Sequence, residues 1–466
     1  MAMGKKGGGQ DGMWIATSDL ARSPGHPFYE RLNRLLDEHG FDAFVESQCR
    51  RFYSERMGRP SLPPVVYFRL MLIGYFEGID SERGIAWRVA DSLALREFLG
   101  LGLSERTPDH STLSRNRRLI DLETHQEIFA WVLAIVAKEG LLSGRTIGVD
   151  ATTLEANAAM KSIVRRDTGE LYGDFLKRLA AESGQATPTR AELARRDKKR
   201  KGKGSNDDWS NPHDPDAKIT RMKDGSTHLA HKAEHAVDLE TGAVVAVTIQ
   251  PADRGDTQSY EQTLSEVLEN LAAVTEQVEL PEPVLCELVA DRGYHSAAVL
   301  KRAQELGLRT YIAEPKRPRR RWRGRTAEQQ ATYANHRRMK GARGKRLARW
   351  RSEKDERTMA HSYETGGLRR IHLRGHHNIL KRALIHVAGL NLGLVLRKRH
   401  GRGTPRGLQG RLRRLLALLL ATLRAYRPVA AFSVLRSWLT VLPFGQATEA
   451  GGAHLLAPNL AFTTGC

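Results

Sequence analysis

TIGVDATTLEAN, residues 146–157, decides how this chain is read. Ile147 and Val149 belong to a short apolar strand that runs straight into Asp150 and then breaks into small polar residues. A buried strand that ends on a carboxylate needs a reason. The pattern recurs in LVADRGYHS, where a second apolar run ends on Asp291. In open α/β sheets ligands collect at the carboxyl ends of the strands, so two strands ending in Asp there put two carboxylates within reach of a shared metal ion.

Around these two runs the spacing predicts strands at 146–151, 229–238, 244–250, 287–291 and 309–313, with residues 238–242 forming a tight turn between the second and third. Helical periodicity fills about 258–278 and 296–306, and a long helix-prone stretch follows the last strand. Strand, strand, strand, helix, strand, helix, strand is the order of an α/β fold with a mixed sheet and helices packed on it.

From Pro27 to about Ile135 the apolar residues instead fall at helical spacing, as in Val65, Phe68, Leu72, Tyr75 and Phe76. The end of this helical region, SERTPDHSTLSRNRRLI, places Thr107 as a helix cap and Pro108 as the first helical residue. A helix, a Gly-containing turn and a basic helix suggest a helix-turn-helix, with Ser111, Thr112, Ser114, Arg115 and Arg118 able to face a DNA groove. A normally capped helix with a solvated basic face fits the same residues.

Charge points to the partner. The chain has 466 residues, and 74 Lys and Arg against 53 Asp and Glu give a formal net charge of +21, which favours a polyanion, nucleic acid first. Three scattered cysteines, Cys49, Cys286 and Cys466, exclude a disulfide framework and a cysteine-based zinc site, and fit a reducing cytoplasm. The apolar run at 415–421 is too short to span a bilayer, and no membrane segment is expected.

Four segments lie outside the core pattern. Residues 155–225, containing RRDKKRKGKGSNDDWSNPHDPDAK, read as a mobile, charged insertion able to close on phosphates. The block KRPRRRWRGR at 316–325 offers Arg319, Arg320 and Arg321 for phosphate and Trp322 for stacking. From Thr404 an amphipathic helix is expected, and beyond Pro443 a loose end. The expected organisation is a flexible 1–26, a helical DNA-binding domain at 27–140, a catalytic domain at 141–400 and a C-terminal helix and tail at 401–466. The histidines His228, His231, His235 and His372, His376, His377 have zinc-like spacings. The first set lies on a strand that sends His228 and His231 to opposite faces, and the second lacks an acidic or cysteine partner.

Long collinear segments carry a family resemblance: RPSLPPVVYFRLMLIGYFEGIDSERGIAWRVADS, TPDHSTLSRNRR, TIGVDATTLEANAAMKSIVRRDTGE, HLAHKAEHAVDLETGAVVAVTIQPADRGDT, VADRGYHS and ERTMAHSYETGGLRRIHLRGHHNILKRALIHVAGLNLGL. The chain resembles the DDE transposases of bacterial insertion sequences, which have a ribonuclease H-like core, and looks closest to the branch called insertion sequence eleven-eighty-two. The resemblance implies Asp150, Asp291 and Glu356 as the catalytic carboxylates, holding two Mg²⁺ ions for which Mn²⁺ can substitute. Glu356 heads the matching ERTMAHSYETGG stretch. The family's Arg four before the glutamate and Lys seven after it are here Ser352 and Tyr363, so Glu353, then Glu364, remain alternatives.

Arg292 and Tyr294, beside Asp291, are expected to contact a phosphate or orient a DNA end, or to pack the strand-to-helix turn, and Arg357, Arg369, Arg370, Arg374 and Lys381, where the family's last helix faces DNA, are the other expected phosphate contacts. The implied function is metal-dependent cleavage of double-stranded DNA at an element's terminal inverted repeats and strand transfer into target DNA. A homodimer on DNA, in the cytoplasm and on the nucleoid, goes with it. An inactive DNA-binding relic and a nuclease without strand transfer are the other readings.

Overall fold

The computed structural model describes residues 25–54, 61–184, 189–199, 205–222, 224–279, 285–316 and 321–406. Seven helices come first: α1 (Pro27–Glu38), α2 (Phe41–Cys49), α3 (Pro64–Glu77), α4 (Glu82–Ala90), α5 (Leu93–Phe98), α6 (His110–Leu119) and α7 (Leu122–Lys138). α3 is apolar on every side and buries all its residues from Val65 to Phe76, so the other helices are arranged around it. Ser81, Ser92 and Asp121 cap α4, α5 and α7 by accepting from backbone amides.

α6 departs from the expectation. Its cap is Asp109, not Thr107, and the carboxylate accepts from the Ser111 amide at 3.0 Å. A charged cap also suits the positive end of the helix dipole. Residues 99–109 separate α5 from α6, a longer link than the three- or four-residue turn of a helix-turn-helix.

The second half contains β1 (Thr146–Glu155), β2 (Val164–Arg165), α8 (Tyr172–Glu182), α9 (Arg190–Lys199), β3 (Trp209–Ser210), β4 (Lys218–Arg221), β5 (Thr227–Asp238), β6 (Val244–Pro251), α10 (Asp256–Thr275), β7 (Glu287–Ala290), α11 (Ala297–Glu305), β8 (Arg309–Ile312), α12 (Thr326–Lys340), α13 (Ala342–Met359) and α14 (His376–His400). All five strands expected from the sequence are present. The main sheet runs β4-β5-β1-β7-β8, with β6 also paired to β5. β1 is antiparallel to β5 and parallel to β7, and β7 is parallel to β8. This is the mixed α/β sheet that the element order implied.

Helices cover both faces. α10 lies on the face carrying Glu234 and Thr248, where Thr263 bonds both side chains. α13 lies on the face carrying Gly148, where a Cβ would meet the Asp355 carboxyl and Leu239, so that the close approach requires glycine. On the outer edge of β6 the Asn391 amide brackets Val244, donating to its carbonyl and accepting from its amide at 2.9 Å each. That side chain satisfies backbone groups an edge strand would leave open.

The expected division near residue 140 is no break in packing. Residues from Phe28 to Leu396 contribute to one hydrophobic core, and α14 joins the halves by packing on α3, α7 and β6. Among the described residues α14 alone is long and apolar enough to cross a membrane, but most of its apolar window is buried inside the protein.

The insertion is more ordered than its composition suggested. β2 and β3 pair with each other, and β4 extends the main sheet. A small second core forms from Ala156, Ile163, Phe175, Trp209, Ala217 and Leu229. Trp209 stands edge-on to Tyr172 and Phe175, with ring centroids 4.8 and 5.2 Å away. One buried tryptophan supplies enough apolar area to organise a polar segment. Lys198 and Lys199 of the KKRK run close α9, while the rest of that run, Arg319, Arg320 and the expected C-terminal helix beyond Arg406 lie outside the described residues.

Candidate active site

Parallel pairing of β1 with β7 sets Val149 beside Ala290. The next residue along each is an aspartate, so Asp150, midway along β1, neighbours Asp291, just past the end of β7; β1 does not stop at its carboxylate as expected but runs on to Glu155 because β5 continues to pair with it. Asp150 Oδ1 accepts from the Ala151 amide at 2.8 Å, and Oδ2 accepts from Arg351 Nη1 of α13 at 2.8 Å. Burial pushes the Asp150 carboxyl above the usual carboxylate range, with the charge of Asp291 adding to it and Arg351 opposing it. Asp291 caps the short 3₁₀ turn Arg292–Tyr294, where its Oδ1 accepts from the Gly293 amide at 2.5 Å.

α13 crosses the β1 face, and its flanks face different ends of the strands. Lys354 Nζ donates to the Glu240 carbonyl in the β5–β6 turn, and Lys354, Arg357 and His361 line a pocket with Thr241 and Gly242 there. At about 100° per residue, Ser352, Glu356 and Met359 occupy the other flank. The Tyr363 hydroxyl meets His235 Nε2 at 2.7 Å, and His235 is the β5 partner of Asp150. Glu356 lies on the flank of α13 away from Lys354. It is exposed, and Ser352 Oγ donates to it at 2.8 Å. Glu353 points away from the sheet and pairs with Arg357 at 2.8 Å. Glu364, on the π-helical turn after α13, pairs with Arg369, whose Nη1 also reaches Thr152 Oγ1 at 3.1 Å.

Hard oxygen donors from Asp150 and Asp291, on and just past adjacent strands, are a set that fits Mg²⁺ or Mn²⁺. Among the described residues no three His, Cys, Asp or Glu side chains come close enough together to hold a metal ion; Glu356 is bonded by Ser352, and Arg351 pairs with Asp150.

Ser111, Arg115 and Arg118 are exposed on α6, and Thr112 and Ser114 are half-buried. The Arg115 and Arg118 guanidinium groups fold back onto carbonyls of their own helix. Arg292 and Arg321 are exposed, and Trp322 is half-buried against Tyr333. Arg370 and Arg374 line a cleft of about 490 Å³ with Glu155, Asn157, His213 and His228, and Arg369 lines an adjoining one of about 320 Å³. Lys381 is a correction. It is buried, and its Nζ donates to the Arg117 and Ile120 carbonyls at 3.0 and 2.8 Å, closing the C-terminal end of α6 instead of facing DNA. His231 and His235 are structural: His231 pairs with buried Asp214 at 3.1 Å, and burial pushes the His235 ring down to about 3.

Sequence reasoning missed Arg351, since no motif marks it. It also missed Lys232 and Glu234, although two opposite charges at period two in an otherwise apolar strand are a visible sign of a buried network.

Comparison with known families places this geometry. Residues 17–119 match the family described as Transposase domain (DUF772), and residues 187–392 match the Transposase DDE domain. The chain is a transposase of the DDE type, and its mixed sheet is a ribonuclease H-like core. The second match takes in Asp291 and Glu356 and begins after Asp150. No curated protein and no solved structure matches the chain.

Proposed function

We propose that the protein, of the insertion sequence eleven-eighty-two branch, cleaves double-stranded DNA at the inverted repeats of its element and transfers the freed 3′ ends into target DNA. The observation that carries this is that Asp150 and Asp291 follow the last paired residues of adjacent parallel strands, on the face that α13, bearing Glu356, crosses. Asp150, Asp291 and Glu356 would hold two Mg²⁺ or Mn²⁺ ions, which when bound activate a water or 3′-hydroxyl and stabilise the leaving oxygen.

The residues of the chain prepare that site. Arg351 balances Asp150, and Glu356 completes the carboxylate set by turning from Ser352 towards the strand ends. Arg370 and Arg374 border a cleft at the end of β1 where a DNA backbone can lie. Two DNA ends must be held together for transfer, so a homodimer on DNA, on the cytoplasmic nucleoid, is part of the proposal.

The test uses a labelled duplex bearing the element end, Mg²⁺ or Mn²⁺, and the unmutated protein beside Asp150→Ala, Glu356→Gln and Glu353→Gln. Boundary cleavage that needs metal, is lost in the first two variants and survives in the third is expected. Binding without cleavage by the unmutated protein would instead mean an inactive relic. Cleavage with no joining to target DNA would mean a nuclease.

A further inference from the structure

Behind Asp291, on the sheet face away from α13, lies a buried polar network that the chemistry described so far does not use. Lys232 and Glu234 stand two residues apart on β5 and point to the same face. Glu234 is fully buried and receives hydrogen bonds from Thr263 Oγ1 at 2.6 Å, Tyr294 OH at 3.0 Å and Ser259 Oγ. Lys232 Nζ lies 2.9 Å from Glu234, 2.6 Å from Asp256 and 2.7 Å from Ser259 Oγ. Buried charges with this many partners are satisfied, and removing one partner strands the others.

The network has two attachments to the turn that carries Asp291. Tyr294 ends the turn, its ring is buried, and its hydroxyl is spent on Glu234. Burial and the neighbouring Glu234 keep the phenol protonated and therefore a donor. Asp256, gripped by Lys232, fills the space where a side chain at Gly293 would project, so only glycine fits there. Gly293 in turn gives its amide to Asp291 Oδ1. The far end and the middle of the turn are thus each tied to one charged residue of β5.

We infer that Lys232 and Glu234, acting through Asp256 and Tyr294, are positioning residues that hold the Asp291 carboxylate in its metal-binding orientation. This rests on the reading of Asp291 as a metal ligand. The network touches neither DNA nor metal. Its role is to remove the freedom of a short turn before the ion arrives, and outer partners of metal ligands typically govern affinity by about 10–100-fold.

The experiment is a Mn²⁺ titration of the full-length protein without DNA, following loss of the free aqueous Mn²⁺ signal by electron paramagnetic resonance, with metal-free thermal melting alongside. Tyr294→Phe deletes one hydroxyl from a packed site and carries the decision, and Glu234→Gln and Asp291→Asn accompany it. The expected result is Mn²⁺ binding by the unmutated protein, loss of a site in Asp291→Asn, and about 10-fold weaker binding in Tyr294→Phe with its metal-free melting close to the parent's. Parental Mn²⁺ affinity in Tyr294→Phe and Glu234→Gln, with Asp291→Asn defective, would overturn the positioning role alone. Equal binding by Asp291→Asn and the unmutated protein would overturn the metal reading of Asp291, and this inference with it.

Discussion

Asp355 should weaken this protein, and replacing it should strengthen it in a pH-dependent way. Its side chain is fully buried on α13 between Gly148 and Arg351, and neither carboxyl oxygen has a hydrogen-bond partner. Burial, and then the neighbouring Asp150, raise it well above the usual carboxylate range. A buried polar group without a partner costs about 1–3 kcal/mol. Leucine has the same branching, so Asp355→Leu removes that cost with little change of shape.

The pH dependence adds to the offset. A carboxyl raised in the folded state keeps its full contribution to stability below the unfolded value of about 3.9, and loses it as pH climbs towards its folded value. Over that window the unfolded chain ionises while the folded protein cannot. The advantage of Asp355→Leu over the parent therefore grows by about 1.4 kcal/mol per pH unit. Asp355→Asn removes the proton but keeps the partnerless polar group, so it should run parallel to Asp355→Leu and lie below it. Urea unfolding followed by circular dichroism at several pH values between 4.5 and 7.5 measures all three. Curves for parent and variants that stay parallel across this range would refute the reasoning, because Asp355 would then be charged in the folded protein.

Three further outcomes are expected. Lys381→Met leaves the Arg117 and Ile120 carbonyls unpaired and should destabilise by about 1–3 kcal/mol; its DNA affinity should keep the parental salt dependence, and a salt slope lower by about one would mark Lys381 as a phosphate contact after all. Gly293→Ala drives a methyl group into Asp256, which should cost about 1–3 kcal/mol in thermal unfolding and abolish cleavage of the element end; a parental melt with full cleavage would show that the turn has slack. Trp209→Ala empties the small core of the insertion, worth about 3–5 kcal/mol; limited proteolysis should then cut within residues 160–220 while the main melting transition stays put, and an unchanged digestion pattern would show that the insertion does not depend on that core.

The strands were legible because each is a short apolar run bounded by turn residues, and β1 and β7 announced their aspartates at the point where the apolar pattern stops. The insertion was misread for the opposite reason: its composition is polar, and the few apolar residues that pack around Trp209 are scattered along it. Composition averages away one residue that packing makes decisive.

What the sequence by itself determined is local: strand and helix periods, the two carboxylates that follow apolar runs, and a basic charge balance suited to DNA. Only the tertiary structure decided which charges are free to act. Lys381 and Arg370 look alike in the chain, yet one closes a helix end inside the core and the other borders an open cleft. Glu353 and Glu356 are three residues apart on one helix, yet Glu353 pairs with Arg357 while Glu356, on another flank, accepts from Ser352. Lys232, Glu234 and Asp355 are buried charges whose partners, or lack of them, come from segments distant in sequence. Pairing across the fold, which no local pattern encodes, makes Lys232 and Glu234 a scaffold and leaves Asp355 a burden.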